Sequence, residues 1–327
     1  MSSKSFIIKY PLTLTFAIQG LSDLSGVVLT GSYLLLGTDE GVGPNKNSNL
    51  LQIMKEVAQG HYHLQKHIDL FTGDKDDGLE MDIEGLDMQD NDLYVIGSHT
   101  LRRASAKPDK DYAKNRKRMQ SKAIKAQKNR DWLYRLQLDD DLNVLHKERI
   151  SLRKIINNDP VLKPFSRIPG KENGVDIEGI TVVDDWLYLG LRGPVLRGNY
   201  VPILKLQFDA PKKSYELLYV QLSGRGCRDI TRVSDGFLLI AGPVGDGCYP
   251  FQLYHWNGQD MLPGQDRASK ARGIMQLLGD LPTAAGKPEG LALQIEGEDY
   301  YDILVIYDGI KTPHEGFGHC LRINKPV

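Results

Sequence analysis

A short pattern repeated five times, copy starts about 50–60 residues apart with one longer gap, and a glycine-rich composition predict an all-β chain. The predicted fold is a single β-propeller of five blades, spanning residues 1–327 as one domain. The N-terminal strand closes the ring, and a basic helical insert occupies residues 101–131.

Each copy holds a polar turn, an apolar strand, a second turn, and a second strand ending in a small polar signature. The copies are DLSGVVLTGSYLLLGTDE (residues 23–40), DIEGLDMQDNDLYVIGSH (82–99), DIEGITVVDDWLYLGLRGP (176–194), RDITRVSDGFLLIAGP (228–243) and KPEGLALQIEGEDYYDILVIYDG (287–309). The second and third share Asp-Ile-Glu-Gly and an Asp-x-Leu-Tyr in the following strand. Further strand-like runs at 50–57, 62–70, 132–138, 144–152, 201–208 and 216–222 complete four-stranded blades. After the fifth copy only one more strand remains, at 318–323. The segment 5–16 has no blade of its own, so it is expected to supply the last strand and remove the exposed edges. Six blades would need an unrecognised copy.

The long gap falls between copies two and three. It holds twelve lysines or arginines against two acids between residues 102 and 130, leaving the rest of the chain at -11. This segment lacks apolar alternation and reads as a charged helix. Its alternatives are a solvated or salt-bridged surface element, a lid that attracts an anionic ligand, and a nucleic-acid contact. With Tyr112 as its lone aromatic, base stacking is not suggested and nucleic acid is not expected.

Composition fits a globular chain, with 41% hydrophobic residues, 25% charged residues and a net charge of -1, which argues against bulk attraction to polyanions or membranes. Cys227, Cys248 and Cys320 match neither a zinc motif nor a disulfide framework, and so sparse a set suits a reducing compartment. Lys9 and Pro11 interrupt the apolar N-terminal run, so it does not read as a signal peptide. No stretch reaches the roughly 18 apolar residues of a membrane span. A cytoplasmic protein is expected.

In a propeller the turn entering the first strand and the turn leaving the second share one face. Both sets of motif residues therefore converge on one channel mouth. The expected metal ligands are Glu84, Glu178 and Glu289, with Asp82 and Asp176, for Ca2+ or Mg2+. Arg192, Arg228, Asp229, Asp39, Glu40 and Asp308 are expected to bind a ligand, and His99 is the candidate acid or base. No organic cofactor is expected. In the structural alternative each Glu caps a neighbouring backbone, and Gly85, Gly179 and Gly290 are turn residues needing unusual dihedrals.

These residues carry a resemblance. The order Asp82 to Gly85, Gly97 to His99, Glu178 with Gly179, Gly190 to Pro194, Arg228 to Ile230, Ala241 to Pro243 and Pro288 to Leu291 resembles a bacterial propeller family known as a domain of unknown function. The resemblance covers about residues 20–310 and implies the fold more than a reaction. More distantly, the Glu-Gly turns are similar to those of esterase-like phytase propellers, which implies a metal-assisted phosphoesterase. The functional expectation is a ligand-binding propeller with an acidic, arginine-lined mouth, as a divalent-cation-dependent hydrolase of an anionic, phosphorylated small molecule. The alternative is a non-catalytic propeller that binds a protein partner at the same mouth.

Three other features carry less. His61, His63 and His67 lie on one strand without carboxylate or Cys partners, so a surface strand is preferred to a zinc site. Residues 242–247, GPVGDG, lack the Gly-Lys-Ser/Thr of a P-loop, and Asp246 there is a candidate extra ligand. Cys227 adjoins Arg228, but an inert buried thiol is preferred to a reactive one.

Overall fold

The computed structural model describes residues 6–15, 18–42, 48–71, 80–268, 271–310 and 316–326. Residues 5 and 16 of the expected closing segment lie outside these. The chain is mostly β. It begins with β1 (Ile7–Leu14), followed by β2 (Leu24–Thr30), β3 (Tyr33–Thr38), β4 (Leu50–Ala58) and β5 (His61–Asp69). Next come β6 (Ile83–Gln89) and β7 (Asp92–Gly97), a small ribbon of β8 (Leu101–Arg103) and β9 (Ile124–Ala126), then β10 (Leu133–Leu138) and β11 (Val144–Ile150). The third group is β12 (Asp176–Val183), β13 (Trp186–Gly193), β14 (Tyr200–Gln207) and β15 (Glu216–Gln221). The fourth is β16 (Gly226–Val233), β17 (Gly236–Gly242), β18 (Gln252–Trp256) and β19 (Met275–Asp280). The last strands are β20 (Lys287–Glu296), β21 (Tyr300–Asp308) and β22 (Gly318–Asn324).

Within each group, strands pair antiparallel with their sequence neighbours, apart from the β8–β9 excursion between β7 and β10. β1 pairs antiparallel with β22, with Leu12 opposite Gly318 and Ile7 opposite Arg322. It also meets β5 over two parallel pairs, joining the first and last groups into one eight-stranded sheet. Asp302, at 0% side-chain exposure, fastens this junction: it accepts hydrogen bonds from Lys9 Nζ at 2.7 Å and from Arg322 Nε at 2.7 Å and Nη2 at 2.8 Å.

The first strands of the groups pack in a closed cycle: β2 on β6, β6 on β12, β12 on β16, β16 on β20, and β20 on β2. These inner strands are buried on both faces, which is why they read as near-continuous apolar runs rather than clean alternation. Apolar side chains fill the space between neighbouring sheets, as where Tyr188 of β13 meets Phe237 of β17 with ring centroids 4.6 Å apart.

The cycle demands glycine at its closest approach. A Cβ on Gly26 would lie 3.2 Å from Gly85 Cα, one on Gly85 would lie 3.2 Å from Gly179 Cα, and one on Gly179 would lie 2.8 Å from Asp229 Cα. None of Gly85, Gly179 or Gly290 has a positive φ. These glycines therefore serve inter-strand packing, a correction to the expectation of turn residues with unusual dihedrals.

The insert also differs from expectation. In place of one helix it holds the β8–β9 ribbon and a short helix, α1 (Tyr112–Arg118), that buries no residue. Arg103 Nη1 donates to the carbonyls of Arg118, Met119 and Gln120, which satisfies the helix end and stops it there. A second helix that the repeat pattern did not disclose, α2 (Arg153–Asn158), follows β11. Among the described residues no helix is long and apolar enough to cross a membrane.

Candidate functional site: five bulges around one mouth

Every inner strand carries a β-bulge at the equivalent position. Pairing skips Ser25 between Leu24 and Gly26, Glu84 between Ile83 and Gly85, and Glu178 between Ile177 and Gly179. It skips Arg228 between Cys227 and Asp229, and Glu289 between Pro288 and Gly290. A bulged residue leaves the ladder, and its side chain is re-aimed. Arg192 is skipped in the same way on β13, between Leu191 and Gly193. Four of the five repeats thus spend this residue on one charged cluster, and the residue after it, a glycine or Asp229, serves the packing beneath.

Most of the bulged side chains form a chain of buried ion pairs. Arg192 pairs with Asp176 and, at 2.8 Å, with Glu178. Arg228 pairs with Glu289 and, at 3.2 Å, with Glu178. Asp82 receives Arg130 and the Ser98 hydroxyl, and Arg130 also pairs with Glu80. Asp308 pairs with Lys287 at 2.7 Å. Ser25 donates instead to the Ile83 carbonyl across the inner ring.

Glu84 stands apart. It is 8% exposed and has no hydrogen-bond or ion-pair partner among the described residues. Burial pushes its carboxyl well above the usual range, and the negative charges of Glu178, Asp82, Asp39 and Asp176 push it further. No cation among the described residues touches it, although Arg130, Arg192 and Arg228 feel its charge at longer range. At Asp82, where burial is opposed by Arg130 and Ser98, the value rises only to about 6. Burial also raises Asp176, Glu178 and Glu289, against Arg192 at the first, Arg192 and Arg228 at the second, and Arg228 at the third. Asp39, half-buried and set among Asp82, Asp308, Glu289 and Asp23, is pushed up to about 8, chiefly by burial.

Other expected site residues have different surroundings. His99 is fully buried; its Nδ1 lies 2.8 Å from the Gly97 carbonyl, and the Leu152 amide donates to Nε2 at 3.3 Å. Burial lowers its pKa to about 4, so it is neutral and both nitrogens serve the backbone. Asp229 accepts from the Ile230 amide at 2.8 Å and the Leu291 amide at 2.7 Å, bracing β16 to β20. Glu40 is exposed, and Asp246 lies on the surface with Lys171 3.6 Å away. Of the five expected metal ligands, Asp82, Asp176, Glu178 and Glu289 each touch a guanidinium and Glu84 touches none. Among the described residues no three His, Cys, Asp or Glu side chains are grouped so as to hold a metal ion.

Sequence reasoning missed Ser25, Glu80 and Arg130. Ser25 was legible, since it precedes the repeat glycine as Glu84 and Glu178 do. Arg130 was hidden among the many cations of the insert.

A family model described as a protein of unknown function, DUF3616, matches residues 23–315. No curated protein matches the chain in sequence. Among solved structures, an exo-β-1,3-galactanase from Phanerochaete chrysosporium aligns at 12% identity with a TM-score of 0.46, covering 100% of this chain and 64% of that one. The chain thus spans less than two thirds of the galactanase. A hypothetical protein from Leishmania major aligns at 10% identity and a TM-score of 0.45, covering 99% of this chain and 91% of that one. The PQQ-bound aldose sugar dehydrogenase from Streptomyces coelicolor aligns at 11% identity and a TM-score of 0.42, covering 98% of each.

Proposed function

This chain belongs to the DUF3616 family of proteins of unknown function, and we propose that it is a five-bladed β-propeller whose mouth binds a small hydroxyl-rich molecule and offers it Glu84 as a protonated acid. The closed cycle of inner strands and the pairing of β1 with β22 support the blade count. The observation that carries the functional reading is Glu84 itself. Its oxygens, unlike Asp176 Oδ1 and Glu178 Oε1, are not sealed from solvent, which makes it an unpartnered carboxyl that a ligand can reach. Keeping one at the shared mouth makes sense where a ligand completes it.

The charge pattern favours a neutral ligand over the anion expected from the arginines. Arg192 and Arg228 each already lie between two carboxylates, and so does Arg130. An anion would have to displace one of these. Buried atoms without hydrogen-bond partners include the acceptors Asp39 Oδ1, Asp176 Oδ1 and Glu178 Oε1 and the Nε donors of Arg130, Arg192 and Arg228. Glu178 Oε1 lies at ion-pair distance from Arg192 without hydrogen-bond geometry. Hydroxyl groups, which donate and accept at once, match such a mixed set.

The reaction this arrangement favours is acid-assisted hydrolysis. Glu84 and Glu178 influence one another electrostatically, and two guanidiniums touch Glu178 while none touches Glu84. When two carboxyls share a site, the proton stays with the one lacking cations. Glu84 then gives its proton to the leaving oxygen as the C–O bond breaks. Water adds to the carbon and passes a proton to the Glu178 carboxylate, and transfer back to Glu84 restores the pair.

The test is a panel of nitrophenyl glycosides, acyl esters and phosphates, run with chelator and with added Ca2+ or Mg2+. Turnover of neutral glycosides, insensitive to metal and lowered about 10²–10⁴-fold in kcat by Glu84→Gln, is the expected result. Turnover of phosphates alone, an undiminished Glu84→Gln variant, or neither turnover nor calorimetric binding of any neutral member would overturn the reading.

A further inference from the structure

The mouth leaves the insert unexplained. Nine of its cations are exposed, and Lys107, Lys117, Lys122, Lys125 and Lys128 have no ion-pair partner among the described residues. A segment that served to fold onto the acidic body would spend its charges there. Among the described residues only Arg103, with Glu172, and Arg130, with Glu80 and Asp82, reach the body at close range; Arg102 lies 3.9 Å from Glu80. Asp109 and Asp111 sit beside Lys110 and Lys114, Asp131 pairs with Arg153, and the five lysines are left untouched.

The insert is nonetheless ordered by specific contacts. Arg103 ties the end of α1 to Glu172, Arg118 Nη1 donates to the Ser105 carbonyl at 2.8 Å, and Asn115 bonds the backbone of Lys107. A seven-residue helix that buries nothing is not stable by itself. These contacts hold a cationic surface in place without giving it a core.

Against the expectation drawn from its single aromatic, we propose that this surface docks the phosphate backbone of a single-stranded nucleic acid. A small anion would need convergent cations, and these five lysines come from separate elements between residues 107 and 128: α1, β9 and the turns beside them. A membrane-binding helix needs an apolar stripe, which α1 lacks. An extended polyanion suits dispersed, flexible lysines. Tyr112, 75% exposed with the Arg116 guanidinium 5.8 Å from its ring centroid, offers a platform for one unpaired base. The acidic remainder of the chain weakens long-range attraction, but beyond about 8 Å it is screened at physiological salt, so the local field governs contact.

The experiment is fluorescence anisotropy of the full chain with a labelled single-stranded RNA of about 20 nucleotides, from 50 to 200 mM salt. Five lysine–phosphate contacts give a slope of log K on log salt near -3.5, roughly a hundred-fold loss of affinity over that range. Changing Lys122, Lys125 and Lys128 together to alanine should reduce the slope to about -1.4, and changing the exposed Lys154, Lys212 and Lys213 should leave it intact. Equal loss in both triple variants, or no saturable binding at 50 mM salt, overturns the proposal. So does binding to phosphatidylserine vesicles or to an acidic peptide, but not RNA, that depends on the same three lysines.

Discussion

Replacing Glu84 by glutamine removes a titrating proton while nearly preserving shape, and the consequence for stability follows from linkage. An unfolded glutamate ionises near pH 4.3. Folded Glu84 is held well above its ordinary value by burial and by Glu178, Asp82 and Asp39. Between those two values the folded chain carries one proton more than the unfolded chain. Stability therefore falls as pH rises, by up to about 1.4 kcal/mol per pH unit from this group. The slope from this group persists from the unfolded value up to the folded one and vanishes above it. A glutamine side chain does not titrate, so the Glu84→Gln variant should gain on the wild type steadily as pH rises. Asp39, displaced to about 8, adds a slope of the same sign in both proteins. The assay is urea denaturation of both at pH 5, 6 and 7, with the free-energy difference plotted against pH. A flat difference would mean that Glu84 ionises at its ordinary value, and the acid assigned to the mouth would be lost.

Two further substitutions test the scaffold. Gly179→Ala places a Cβ 2.8 Å from Asp229 Cα and 2.9 Å from the Ile230 nitrogen, so two inner strands must part. Denaturation should show a loss of about 1–3 kcal/mol, and an unchanged midpoint would contradict the packing role of the repeat glycine. Asp302→Asn should cost about 2–3 kcal/mol at pH 7, less than the 3–5 of a sealed pair because Lys9 and Arg322 reach water. Hydrogen bonding from Arg322, with Lys9 assisting, holds Asp302 below its ordinary value. Its contribution is present above the unfolded pKa near 3.9 and lost as pH falls through the folded one. The difference from wild type should shrink below about pH 4, and a difference constant down to pH 3 would refute the ionised clasp.

The repeat was legible because two copies retain Asp-Ile-Glu-Gly and the strand lengths vary little. The closing role of the N-terminal segment was legible by subtraction, since the last group had one strand too few. The bulges were not. A bulge is a property of register between two strands, and Glu84 looks the same in sequence whether it is paired or skipped. The glycines were misread for a related reason: the close approach of Gly85 to Gly179 spans 94 residues and leaves no local backbone signature. The carboxylates of the mouth were found, but their neutralisation was not. Arg130 lies 48 residues from Asp82, inside a segment where one more arginine carries no information. His99 was singled out for its chemistry, and only the folded chain reveals that both of its nitrogens are taken by backbone groups. The insert had no apolar period to fix its structure, and its short helix depends on Arg103 rather than on a buried face.

The protonation state of Glu84 can be read by infrared difference spectroscopy of the wild type against Glu84→Gln, titrated between pH 5 and 8. A carboxylic-acid carbonyl band that persists at pH 7 in the wild type and is missing from the variant is the expected result. A wild-type spectrum with no such band, and with a carboxylate band already present at pH 5, would contradict it and leave the mouth without its acid.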